Sequence, residues 1–241
     1  MVALLAAGAA LLFSALLAGC ATKQKPPVPS EAGKAIMAEV AKPKRQALVA
    51  EAFDTRSADR RRLGILQMYQ EDWGRSEPCL KAYALLARDE EPIVRAAAIT
   101  AIAESRSAAD AYVDVLIDVL EHENIQYIRV DAADGLRKVH GPQAVEPLIR
   151  HAKSDANLDV RLRCVRALAF YRQRPVLDAL LVCLGDEEFG IRFTARRVLN
   201  AITGVDAAYD VNDWTKMLSA KSDPFVHPAA ARRPWWQLWG T

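Results

Sequence analysis

Four times in this chain an acidic residue stands six places before an arginine that opens an apolar stretch: Asp89–Arg95, Glu123–Arg129, Asp155–Arg161 and Asp186–Arg192. The arginines recur at intervals of 34, 32 and 31 residues. A unit of that length has room for two short helices and a turn. It cannot bury its own apolar face, so it must stack on copies of itself. The recurrence predicts an all-α solenoid of stacked antiparallel helix pairs, which offers an extended flank for binding in place of an enclosed reactive cleft.

Each unit reads as helix A, a short acidic turn and helix B. Helix A carries apolar residues at helical spacing, such as Tyr112, Val115, Leu116, Val119 and Leu120 in the second unit. In helix B the positions after the arginine are fixed in size. Three places on stand Ala98, Ala132, Cys164 and Ala195; seven places on stand Ile102, Leu136, Leu168 and Leu199. Small residues let helices approach closely, while the large ones fill the layer between units. Pro92, Pro142, Pro147 and Pro175 fall near helix starts, where a missing N–H costs little. The domain plan is a signal segment at 1–19, a lipidated cysteine and flexible linker at 20–33, a degenerate N-terminal capping repeat at 34–74 containing Arg61, four repeats at 75–203, and a C-terminal cap with a Trp-rich tail at 204–241. Gly204 suits a helix C-cap and Asp210 an N-cap.

The stretches Pro92-Ile-Val-Arg-Ala-Ala-Ala-Ile, Ile128-Arg-Val-Asp-Ala-Ala and Val160-Arg-Leu-Arg-Cys-Val resemble the second helix of HEAT repeats, in the short form also found in phycobilin lyases. The resemblance implies that Asp89, Arg95, Glu123, Arg129, Asp155, Arg161, Asp186 and Arg192 form a structural ladder between layers. It also implies a non-enzymatic scaffold that binds a protein partner. The alternative is a lyase-like or enzyme-accessory protein that presents a substrate protein or chromophore.

Residues 1–18 are almost wholly apolar and run into Leu17-Ala18-Gly19-Cys20. This resembles a bacterial lipoprotein signal peptide, cut before a cysteine that has been lipidated; the competing reading is a transmembrane anchor, which needs about 20 apolar residues. The resemblance implies lipid attachment at Cys20 and a place in the cell envelope, with the outer membrane favoured. Residues 21–33, with three prolines and no apolar period, are expected to be an extended tether.

Charge and chemistry narrow the function classes. Lys+Arg 32 against Asp+Glu 30 leaves +2, with no global basic field for nucleic acid. After Cys20 only Cys79, Cys164 and Cys183 remain, without a CxxC pair, which argues against a disulfide-built or zinc-built fold. Buried thiols are expected at Cys164 and Cys183, a bridge between them being the alternative. His122, His140, His151 and His227 are scattered, and no Gly-x-Ser-x-Gly, phosphate loop or dinucleotide fingerprint is present. No catalytic residue, metal, cofactor or small-molecule substrate is expected. Asp110, Asp114 and Asp118 are expected to form a solvated carboxylate stripe along one helix.

The candidate binding residues carry the opposite charge. Residues 156–200 contain eight arginines against five acids. Arg163, Arg166, Arg196 and Arg197 lie outside the ladder and should project from helix B, the helix that lines the inner curve in HEAT solenoids. They suit an acidic protein segment or an anionic envelope polymer, because guanidinium binds carboxylate or phosphate through two parallel hydrogen bonds. At the end of the chain, Trp235, Trp236 and Trp239 follow Arg232-Arg233. These aromatics are expected to fold back over the last repeat, to bind a partner or to touch a membrane interface.

Overall fold

The computed structural model describes residues 25–225. Twelve α-helices follow in order: α1 Glu31–Glu39, α2 Pro43–Ala52, α3 Ala58–Gln70, α4 Glu77–Leu86, α5 Pro92–Glu104, α6 Val113–His122, α7 Gln126–Lys138, α8 Val145–Ser154, α9 Leu158–Ala167, α10 Arg174–Leu184, α11 Phe189–Thr203 and α12 Val211–Ser219. The protein is an all-α solenoid. Five layers, α2/α3, α4/α5, α6/α7, α8/α9 and α10/α11, stack in chain order; α1 packs on α2 and α4, and α12 packs on α10.

One apolar interior runs through every layer. The small column Ala98, Ala132, Cys164 and Ala195 and the large column Ile102, Leu136, Leu168 and Leu199 are fully buried. Both columns continue into the first layer, where Gly64 and Met68 stand three and seven places after Arg61. A methyl group on Gly64 would strike the backbone of Glu51 and Ala52, so only glycine permits α3 to lie this close to α2. Successive B helices approach one another more closely than successive A helices. The stack therefore bends with α3, α5, α7, α9 and α11 on its inner side.

The first layer is more regular than its sequence suggests. Arg61 donates from its guanidinium to the Asp54 carbonyl at 3.1 Å and to the Asp89 carboxylate at 2.8 Å, the same pair of contacts that later ladder arginines make. Its acid stands seven places upstream instead of six, because three residues, 55–57, separate Asp54 from the start of its helix, where two separate the later acids from theirs.

The segment 25–30 departs from the expected free tether. Thr55 N–H donates to the Val28 carbonyl at 2.8 Å, Val28 N–H donates to the Asp54 carboxylate at 3.2 Å, and Arg60 and Arg56 reach the carbonyls of Lys25 and Pro26. Ser30 then caps α1 by accepting from Gly33 N–H. Proline favours extended backbone, and an extended backbone can line a turn as readily as it can span solvent. The prolines set the conformation, and the Asp54 turn supplies the partners.

At the other end α11 closes on Gly204, whose φ of 66° is left-handed. Asp210 caps α12 by accepting from Asn212 and Asp213 N–H. Trp214 is fully buried and donates its indole N–H to the Ala208 carbonyl at 2.9 Å, which fixes the cap on the stack. Among the described residues no strand forms beyond the isolated bridge of Pro29 with Asp54, and no helix is long and apolar enough to cross a membrane.

Two outcomes follow from the ladder's burial. Arg129 and Asp155 are 15% and 4% exposed at their side chains, so Asp155→Ala strands a partly buried guanidinium and should cost about 3–5 kcal/mol in urea unfolding. Arg88→Ala, at a pair 73% and 42% exposed, should change stability by less than about 0.5 kcal/mol. Acid should act through the same groups. Burial opposes the charge on Glu123 and Asp155, but hydrogen bonds from Arg95 and Arg129 and from backbone N–H groups hold both carboxyls below their ordinary 4.5 and 3.8. Their stabilising contribution is complete above those ordinary values and is lost as pH falls through the lower folded ones. A series of melting temperatures should therefore drop steeply below about pH 4.5, and less steeply in Glu123→Gln.

Candidate interaction surface

The ladder sets the register of everything on the inner face. Each arginine begins its B helix with one N–H group on the carbonyl of its own turn acid: Arg95 to Asp89 at 2.8 Å, Arg129 to Glu123 at 3.0 Å, Arg161 to Asp155 at 3.3 Å and Arg192 to Asp186 at 2.8 Å. Its other edge crosses to the next layer. Arg95 grips Glu123 at 2.7 and 3.1 Å, Arg129 grips Asp155 at 3.1 Å twice, and Arg161 reaches Asp186 at 3.5 Å. Each acid also accepts the backbone N–H two places on, at Glu91, Ile125, Asn157 and Glu188, which fixes the turn leading into helix B. The side-chain pairs thus run between layers, while within a layer the arginine holds the backbone.

With the register set, residues five places after the ladder arginine line up along the inner face as Leu66, Thr100, Asp134, Arg166 and Arg197. In its N-terminal half this face is apolar, with an open groove of about 230 Å³ lined by Arg62, Leu66, Ile93, Ala96, Thr100 and Tyr127. Ile93 and Tyr127 are exposed there. Toward the C-terminal end the face turns basic. Arg163 lies 3.6 Å from Asp134, which also holds Arg137 at 2.9 Å and Lys138 at 3.1 Å. Burial opposes the charge of Asp134, and Arg137 and Lys138 outweigh it, so its carboxyl stays below the ordinary value. Burial and the neighbouring positive charges of Arg163, Arg137 and Arg197 draw Arg166 below the ordinary guanidinium value. Four arginines from three successive B helices therefore share one field, with the carboxylates of Asp134 and Asp131 among them.

Arg196 does not join that group. It donates from Nε to the Ala207 carbonyl and through its terminal nitrogen to Asp206, both at 2.6 Å, and its guanidinium lies 5.5 Å from the Tyr209 ring. The reversal at Gly204 folds 204–210 back over α11 and engages this side chain, so Arg196 serves the cap. Of the four predicted binding arginines, the structure brings together Arg163, Arg166 and Arg197. Arg137 belongs with them and was missed, because it lies eight places beyond Arg129 in a stretch of mixed charge.

An aromatic cluster adjoins the basic patch. Phe189 and Phe193 are 5.9 Å apart, and Phe189 lies 6.3 Å from Tyr209. The guanidinium groups of Arg192 and Arg197 lie 5.6 Å from Phe189 and Phe193, respectively. Phe189 is 61% exposed, the most open large apolar residue among those described. The signal for it lay in the repeat itself: the place after the ladder arginine carries Ala96, Val130 and Leu162 in earlier layers, and Phe193 in the last.

The remaining candidates fall elsewhere. His151 meets Asp155 at 3.0 Å and His122 meets Asp118 at 3.1 Å, each four places along its helix, so two of the histidines that looked isolated have carboxylate neighbours. His140 packs on Phe170 with ring centroids 4.1 Å apart. Among the described residues no group of three or more His, Cys, Asp and Glu gathers to hold a metal. The stripe expected from Asp110, Asp114 and Asp118 breaks, because α6 begins at Val113 and leaves Asp110 in a 3₁₀ turn; Asp118 pairs with Arg88 and His122. Cys79, Cys164 and Cys183 are buried and unbridged. Cys20, Trp235, Trp236 and Trp239 lie outside the described residues.

Residues 81–169 match the family profile for HEAT repeats. That stretch runs from α4 into the turn after α9 and takes in three of the inter-layer acids, Asp89, Glu123 and Asp155. Over these residues the stacked helix pairs and the match agree on HEAT repeats, which suggest a protein-interaction scaffold. No curated protein matches the chain.

Burial pushes the Cys79 and Cys183 thiols up to about 11 and raises Cys164 well above its ordinary value. A thiolate is the reactive form, so a native protein lacking residues 1–20 should show no fast reaction with a disulfide reagent, and three thiols should appear on denaturation.

Proposed function

We propose that this protein is a lipid-anchored, non-enzymatic scaffold of the cell envelope that holds an acidic segment of a partner protein against the inner face of its B helices. The observation that carries the reading is the gathering of Arg137, Arg163, Arg166 and Arg197 from three successive B helices on the inner side. A solenoid flank of this kind presents many weak contacts along a line, and a line of contacts suits an extended chain. Arginine adds paired hydrogen bonds to carboxylates, which give direction as well as attraction. Anchoring rests on Leu17-Ala18-Gly19-Cys20; two or three acyl chains, at about 0.8 kcal/mol per buried methylene, hold a protein to a bilayer.

Two measurements test the two halves separately. In cells, Cys20→Ser should move the protein out of the membrane fraction, and metabolic labelling with a fatty acid should mark only the unsubstituted chain. Crosslinking in intact membranes should recover a partner that is lost when Arg163, Arg166 and Arg197 are all changed to Ser and kept when the exposed Arg88, which pairs with Asp118, is changed. A partner retained by the triple variant at full yield would remove the inner face from the proposal.

A further inference from the structure

Five arginines in this chain occupy the same ladder position, and four of them are complete. Arg61, Arg95, Arg129 and Arg161 each hold their own turn carbonyl on one edge and the next layer's carboxylate on the other. Arg192 makes the first half with the same geometry, donating to the carbonyls of Asp186 at 2.8 Å and Glu187 at 2.7 Å. Its guanidinium is further held by the Phe189 ring at 5.6 Å. Among the described residues no sixth layer follows and no carboxylate pairs with Arg192.

The two acids on the segment that folds back over α11 are committed. Asp206 pairs with Arg196 at 2.6 Å, and Asp210 caps α12 by accepting N–H groups at 2.7 and 3.0 Å. Residues 226–241 contain no Asp or Glu and carry Arg232 and Arg233, so that segment brings no side-chain carboxylate. A second copy stacking end to end would have to offer Asp54, the first acid of the ladder. That carboxylate is 1% exposed and already accepts from Val28 N–H, Arg56 N–H and the Arg60 guanidinium at 3.1–3.2 Å.

We infer that Arg192 is an open rung, and that it takes a carboxylate from an acidic turn of a different protein while Phe189 and Phe193 receive an apolar side chain beside it. The inference rests on the scaffold reading above and places the anchor at the C-terminal end of the inner face. The four closed rungs define the ligand: an Asp or Glu in a turn that leads into a helix. Arginine held by its own backbone contacts loses little freedom on binding, and exposed aromatics beside it exclude water from the pair. Arginine and aromatic side chains together are the residues in which interfaces concentrate their binding energy.

The test uses the chain from residue 21 onward and a synthetic peptide copying residues 86–99, which contains the Asp89 turn that Arg61 grips. Arginine side-chain Nε–H resonances are followed by NMR as peptide is added. The expected result is a saturable shift of Arg192. Affinity should fall at least tenfold for the peptide carrying Asp89→Asn, for the Phe189→Ala protein, and for Arg192→Lys, which keeps the charge but not the fork. The peptide substitution leaves the protein untouched, so its effect does not depend on whether any protein variant folds. A shift confined to Arg163, Arg166 and Arg197 would overturn the open rung while leaving the inner-face scaffold standing. No saturable shift of Arg192, a shift equal for both peptides, or a response to phosphatidylglycerol vesicles alone would each overturn the inference.

Discussion

Each of the four closed ladder arginines, Arg61, Arg95, Arg129 and Arg161, joins three things: the start of its own helix, the turn before it and the acid of the layer beyond. Without that fork the layers would share only oily contact, which is strong but poorly directed. Hydrophobic burial between B helices supplies most of the cohesion, and the guanidinium sets the angle and register at which the burial takes place. A buried ion pair is weak evidence of net stability, since desolvation offsets much of its attraction. Its value here lies in geometry. Every fork is held at two backbone or carboxylate contacts, so one layer cannot slide past the next without breaking them.

That fixed register has a functional consequence. Residues at one distance from the fork line up as columns across five layers, and whatever the sequence places in a column becomes a stripe on the surface. The column that reads Leu66, Thr100, Asp134, Arg166 and Arg197 passes from apolar to charged along the axis. A partner lying along the inner face would meet a gradient, apolar at one end and cationic at the other. The direction in which an extended chain lies there is therefore set by its own distribution of apolar and acidic residues.

Much of this was legible in the sequence because a repeat states its rule several times. Four copies of an acid and an arginine six residues apart, with a small and a large residue three and seven places on, were enough to give the helix pairs, the turns and the columns. What escaped was whatever occurs once. The first layer hid behind an acid set one residue farther from its helix, though Gly64 and Met68 kept the column. The docking of residues 25–30 left no periodic trace, since it depends on Asp54 and Arg60 meeting backbone groups about 30 positions away. Arg196 looked like its neighbour Arg197, and only the return of the chain after Gly204 separates a capping residue from a surface one. Cysteine position was readable, since Cys164 stands where three other layers have alanine and the first has glycine.

The pinned segment at residues 25–30 also limits geometry at the other terminus. If Cys20 carries lipid as proposed, only five peptide units separate it from Lys25, and a fully stretched chain of that length reaches no more than about 18 Å. So short a leash would hold the first layer against the headgroups and leave little room for the body to swivel. The far end of the stack, with Phe189 and Arg192, would then stand farthest from the attachment point and face whatever approaches from the aqueous side.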